Sequence, residues 1–219
     1  MEDLSITIKY DFESGLGPME GERYIRTINV NICADDYEQT TKVIGKASFK
    51  IVYIDQAINA GYDFYEMFDS IDKYTIDFAV QLFDFEWNEV NEDILKYYKY
   101  DCHALNICML DRIEILPEFR GHKIATKVIK DIVFHFSTTC GLFVLQVFPL
   151  QFEGHTGESD DWHKQLNLTL FESKEAVAFK RLSNYYRGIG FDKIPGYKNL
   201  LFYNPSRKNK KMDAIDLEE

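Results

Sequence analysis

Polar and apolar residues alternate at the start of the chain, where Leu4, Ile6, Ile8, Tyr10 and Phe12 take every second position. That period of two marks a strand with one buried face. A glycine-rich turn over 14–21 follows, and Ile28, Val30 and Ile32 then alternate with Thr27, Asn29 and Asn31 in a second strand. A third strand is expected over 43–54, rich in Val, Ile, Phe and Tyr, where Gly45 and Ala47 leave room for a close neighbour on one face. Three strands therefore precede any helix.

The period changes over 56–100. Ala57, Ala60, Phe64 and Phe68 recur at helical spacing, and Ile76, Val80 and Phe83 mark a second short helix. A third opens at Asn91 and runs through Ile94, Leu95 and Tyr98, with Glu92 and Asp93 in its first turn. Crowded with aromatic rings and carboxylates, this segment reads as an amphipathic cap on the sheet, and the same residues can wall a substrate pocket. Beyond it, 105–116 is an apolar strand ended by Pro117, which has no N–H for a ladder. Ile124, Val128, Ile132 and His135 or Phe136 line one side of a helix, and 141–148 forms the next strand. Buried strand, helix and buried strand make a crossover, which implies a parallel or mixed sheet covered by helices. A polar excursion over 151–170 leads to a helix over 173–187 that Gly188 and Gly190 break. Segments 191–194 and 199–203 are expected to pair across Pro195 and Gly196, and the Lys-rich, then acidic, stretch past Pro205 reads as a frayed tail.

Composition narrows the possibilities. With 219 residues and 46% of them apolar, the chain suits a single domain over 1–205, carrying the insertion 56–100 and a polar tail over 206–219. The net charge of -11, from 36 acidic against 25 basic residues, has the wrong sign for nucleic acid or an anionic membrane, so neither is expected as a partner. Cys33, Cys102, Cys108 and Cys140 are widely spaced without a C-x-x-C pair, so they are expected to be reduced, and no metal site is expected. The first residues lack a basic-then-apolar leader and no apolar run approaches the roughly 20 residues that span a bilayer, which points to a cytoplasmic protein.

The candidate chemistry sits at 110–125, L-D-R-I-E-I-L-P-E-F-R-G-H-K-I-A, a strand that delivers a basic turn onto the start of a helix. A helix's first turn offers unpaired N–H groups and the positive end of its dipole, and the segment 120–126 is placed to present them to an anion. Arg120, His122 and Lys123 add donors, while Gly121 lets the backbone come close to a phosphate. On spacing alone, a solvated basic helix start fits equally well.

The same stretch resembles the acyl-coenzyme A cradle of the GCN5-related N-acetyltransferase (GNAT) family. That family's (R/Q)-x-x-G-x-(G/A) pattern usually sits within apolar-x-apolar-x-P-x-(Y/F)-R-G. Ile113, Ile115, Pro117, Phe119, Arg120, Gly121 and Ala125 fall into place, and Lys123 stands where the family keeps its first loop glycine. The family's second landmark, Y-x-x-x-G-F at a helix end, is matched from Tyr186 through Gly190 and Phe191.

The resemblance implies an α/β (α+β) fold whose mixed, mostly antiparallel sheet is flanked by helices, with the helical insertion placed before the cradle strand. It implies acetyl-CoA or another short acyl-CoA as cosubstrate. The backbone of Ile113, Glu114 and Ile115 would pair with the pantetheine arm, and Arg120, Gly121, His122, Lys123, Ile124, Ala125 and Thr126 would hold the pyrophosphate. The implied activity is N-acetyl transfer to a primary amine by direct attack, with Tyr186 as general acid toward the departing thiolate. Tyr185 lies next to it, so spacing alone leaves that assignment open. Period-two alternation along the strand before Arg120 puts Met109, Asp111, Ile113 and Ile115 on one face, where Asp111 is the candidate general base and a carboxylate of the insertion its rival. Arg112 and Glu114, on the other face, are expected to form an ion pair. Asp63, Glu66, Asp69 and Asp72 suit a cationic acceptor. The 151–166 loop, with His155, Asp160, Asp161, Trp162 and His163, is expected at the surface near the mouth, Trp162 being its candidate acceptor contact. A homodimer is compatible with this picture. The second reading is a degenerate relative that binds acyl-CoA and catalyses nothing.

Overall fold

The computed structural model describes residues 5–14, 21–35, 41–153 and 161–217. Six strands form one sheet in the order β1 (Ser5–Asp11), β2 (Ile25–Asp35), β3 (Thr41–Val52), β6 (Ile107–Ile115), β7 (Leu142–Gln146) and β8 (Leu200–Tyr203). Every neighbouring pair is antiparallel except β6 and β7, which run parallel. The crossover helix α5 (Ile124–Phe136) produces that parallel pair. A mixed, mostly antiparallel sheet flanked by helices is the architecture expected.

Each face of the sheet has its own core. On one face, Ile124, Val128, Ile129, Ile132 and Val133 of α5, spaced at three and four residues, pack on Val30, Ile32, Phe49, Cys108 and Phe143. The helix α7 (Glu175–Gly188) joins this side through Phe179, Leu182 and Tyr186. The opposite face is covered by the insertion: α1 (Ile54–Ala60), α2 (Phe64–Asp69), α3 (Lys73–Ala79), the hairpin of β4 (Phe83–Asp84) and β5 (Glu89–Val90), and α4 (Glu92–Tyr97). There Phe64, Met67, Phe68 and Phe78 pack on Val52, Ile107, Met109 and Val144. Gly45 lies between β2 and β6, where a Cβ would stand 2.7 Å from the Glu114 carbonyl oxygen, so the expected close approach is real.

Several elements differ from expectation. The apolar residues from Ala57 to Phe68 belong to two helices, because Gly61 turns left-handed (φ 66) and Asp63 caps α2 by accepting from the Glu66 N–H at 2.9 Å. Phe83 lies in a strand. The terminal hairpin reduces to β8 and a single bridge between Asp192 and Phe202. The stretch after Pro205 is not frayed: helix α8 (Lys210–Asp213) buries Met212, whose carbonyl accepts from Lys130 Nζ at 2.9 Å. Asn209 also donates from Nδ2 to the Gly190 carbonyl at 2.8 Å. Most of the glycine-rich turn over 14–21, together with His155 and Asp160, lies outside the described residues. Among the described residues no helix is long and apolar enough to cross a membrane. All four cysteines are free thiols.

Candidate active site

β6 pairs with β7 only from Ile107 opposite Leu142 to Leu110 opposite Leu145. Past that point the strands part, and residues 111–115 have no strand partner on the β7 side among the described residues. A cleft of about 560 Å³ opens there, within the range of small-molecule sites. Asp111, Ile113, Glu114 and Ile115 form one wall, the turn and first residues of α5 another, and Leu182, Tyr185 and Tyr186 of α7 a third.

The cleft reaches the start of α5. The N–H groups of Ile124, Ala125 and Thr126 precede the first bond of the helix, Lys127 N to Lys123 O at 3.0 Å, and among the described residues no side chain caps them. They are therefore open to an anion. Gly121 (φ 84) and Lys123 (φ 58) are both left-handed. Lys123 thus adopts the backbone that a glycine would supply, at a cost of roughly 1–2 kcal/mol.

Two of the expected anion ligands are placed differently. His122 is exposed and, flanked by the two left-handed residues, lines a separate groove beside β1 rather than the cleft. Arg120 borders the cleft, but its guanidinium turns inward: Nε donates to the Ile115 carbonyl at 2.8 Å, an Nη donates to the Leu166 carbonyl at 2.5 Å, and the group stacks 4.3 Å from the Phe171 ring. Its visible work is to tie the turn to β6 and to α6 (Asp161–Leu166).

Asp111 also departs from the period-two count. Arg112 faces Ser48 and Leu110 faces Phe49, so Asp111 is the extra residue of a β-bulge. Alternation breaks there: Leu110, Ile113 and Ile115 pack toward α5, whereas Met109 packs toward the insertion. Asp111 joins the Met109 side, where its Oδ2 accepts from Lys50 Nζ at 2.5 Å and its buried Oδ1 has no hydrogen-bond partner among the described residues. Burial raises the Asp111 pKa, and the Lys50 ammonium opposes that rise. The Tyr74 ring lies 5.8 Å from Lys50 Nζ, and burial, reinforced by the Asp111 charge, pushes its phenol up to about 12.

The expected ion pair is present: Arg112 meets Glu114 at 2.9 Å and also contacts Glu153. Glu114 is buried and accepts from Trp162 Nε1 at 2.7 Å, and Lys46 Nζ sits 4.4 Å from the Trp162 ring. Trp162 therefore straps α6 to β6. Asp63 and Asp72 serve as helix caps, Asp72 accepting from the Thr75 N–H at 2.7 Å.

Tyr186 lines the cleft, with its ring against Tyr185 and Phe191 at 5.2 and 6.2 Å. Burial pushes its phenol above the ordinary tyrosine value. Tyr185 also lines the cleft, and its hydroxyl is 2.8 Å from Thr126 Oγ1 on α5. Among the described residues no group of three or more His, Cys, Asp or Glu side chains is placed to hold a metal. Sequence reasoning passed over Lys50 and Tyr74. Lys50 did carry a signal, a cation set directly between the apolar residues Phe49 and Ile51.

No family model matches the chain, and no curated protein does. Among solved structures, a KacTA–DNA complex is similar at a TM-score of 0.43 and 10% identity, covering 95% of this chain and 96% of that one. AtaTR bound with AcCoA is similar at 0.41 and 12%, covering 97% and 98%. AtaT complexed with acetyl-methionyl-tRNAfMet is similar at 0.40 and 13%, covering 92% and 95%. Two of these solved structures are complexes, one with DNA and one with a tRNA, and the expectation that charge excludes nucleic acid as a partner does not hold. Net charge is a sum over the whole chain, whereas contact with a phosphate backbone depends on where cations gather, so a total of -11 does not exclude it.

Proposed function

We propose that the chain is an acyl-CoA-dependent N-acyltransferase that moves an acetyl group, or another short acyl group, to a primary amine. The observation that carries the reading is the parting of β6 from β7 into a cleft that ends on the uncapped first turn of α5. The residues present suit the cosubstrate. The amides of residues 124–126 and the left-handed turn at Gly121 and Lys123 would hold the pyrophosphate, and the unpaired edge of β6 would pair with the pantetheine amides.

In this reading the amine reaches the thioester carbon from the insertion side. Asp111 accepts the proton that the nitrogen gives up as the carbon–nitrogen bond forms. As the carbon–sulfur bond breaks, Tyr186 donates toward the departing sulfur, and the products are an amide and a thiol. Burial of Tyr186 keeps its phenol protonated across the working range, which suits a donor. The free thiols need no part: Cys108, buried within β6, has its pKa raised well above that of an ordinary cysteine, the wrong direction for a nucleophile.

The test is thiol release from a panel of acyl-CoA species and amines. Amine-dependent release with formation of the amide is expected. Tight acyl-CoA binding without release would identify a non-catalytic binder, and the absence of both would overturn the proposal.

A further inference from the structure

Lys50 is a charged side chain that is 8% exposed, on a strand whose neighbours are core residues, and the reaction above gives it no task. A buried ammonium is costly unless paired. Its partner is Oδ2 of Asp111 at 2.5 Å, across the step where β3 and β6 lose register. The bulge and the lysine act together on one carboxylate. The bulge turns Asp111 onto the insertion face, and Lys50 fixes Oδ2, so that Oδ1 is left unpartnered while the residue lines the cleft. An orphaned buried acceptor is rare in a folded protein and calls for a donor from elsewhere.

We infer that Lys50 is a positioning residue for the reaction: it clamps and keeps ionised the carboxylate of Asp111, leaving Oδ1 to take the acceptor's proton. The inference rests on the acyl-transfer reading of the cleft. The charged and titratable groups around the carboxylate come from four places. Lys50 lies on β3, Cys108 and Arg112 share β6 with Asp111, Asp72 and Tyr74 come from the start of α3, and Glu153, which follows β7, acts on the Tyr74 phenol. Lys50 is the cation in direct contact. Burial and the Asp72 charge both disfavour the ionised carboxylate, so removing Lys50 leaves them opposed chiefly by Arg112.

The experiment is the pH profile of kcat/KM for wild type, Lys50→Gln and Lys50→Arg, across amines of different basicity. The limb that stays put as the amine changes belongs to the enzyme. In Lys50→Gln, which keeps a donor to Oδ2 and removes the charge, the acid limb is expected to move up by about one pH unit or more. Acyl-CoA affinity should be unchanged. In Lys50→Arg the limb is expected to stay within a few tenths of wild type. An unmoved limb in a folded Gln variant would overturn the inference. If that variant fails to fold, a displaced limb in Lys50→Arg would overturn it instead. An inactive wild type would sink the acyl-transfer reading, whereas an active wild type with coincident profiles would sink only the role of Lys50.

Discussion

Asp111, Tyr186 and Lys123 each hold a conformation or an environment that burial or strain makes costly. Asp111→Asn keeps the shape of the bulge and removes the proposed base, so kcat/KM for amine transfer is expected to fall about a hundredfold or more. Acyl-CoA affinity, measured by calorimetry, should not change. Tyr186→Phe removes only a hydroxyl from a ring packed against Phe191. Turnover in thiol-release assays is expected to drop tenfold to a hundredfold at nearly constant cofactor affinity. If activity persisted, the donor role would pass to Tyr185, whose hydroxyl already meets Thr126 at 2.8 Å. Lys123 spends conformational energy at φ 58. Lys123→Gly should therefore gain up to about 1 kcal/mol in urea unfolding, because glycine adopts that backbone freely.

At the scale of elements, the site depends on α6 being held against β6. Trp162 donates to the buried Glu114, and Arg120 donates to the carbonyl of Leu166. Trp162→Phe keeps an aromatic ring near Lys46 but leaves one Glu114 oxygen without that donor, and about 1–3 kcal/mol should be lost in urea denaturation. Such contacts join residues far apart in the chain, so periodicity could not reveal them. Periodicity did reveal β1, β2, β3, β6, α5, β7 and α7, whose apolar residues repeat at two or at three and four because each presents a face to a core. It failed where one residue changes the phase. The bulge at Asp111 moves that side chain to the face opposite Ile113, and Gly61 cuts one apparent helix into α1 and α2. The basic turn before α5 was legible as R-G-H-K, but the spacing could not tell that Arg120 folds inward or that His122 turns away. Met212 escaped notice because one buried residue amid lysines leaves no periodic trace.

The whole molecule is a sheet between two cores, and both cores bury groups that ionise only with difficulty. On the insertion side Tyr98 is 1% exposed and donates to Asp192 at 3.1 Å. On the α5 side Tyr10 donates to Asp131 at 2.5 Å, and Tyr186 lies against Phe191. Burial, the largest cause, raises all three phenols above the ordinary value, and the carboxylates add to the effect for Tyr10 and Tyr98. A tyrosine in the unfolded chain titrates near 10, and a cysteine such as Cys108, likewise raised by burial, near 8.5. Once the pH passes those unfolded values, the unfolded chain has released protons that the fold still holds. Stability must then fall as pH rises, by about 1.4 kcal/mol per pH unit for a fully separated group such as Tyr98. Below pH 8 these groups are protonated in both states and contribute no slope. Urea midpoints should therefore be independent of these groups up to about pH 8, begin to fall near pH 9 and fall more steeply past pH 10. Tyr98→Phe should be less stable at neutral pH by about 1 kcal/mol, the worth of one hydrogen bond, yet lose stability less steeply above pH 10. Parallel wild-type and Tyr98→Phe curves across that range would mean that the Tyr98 phenol titrates alike in both states and that the insertion-side core admits water.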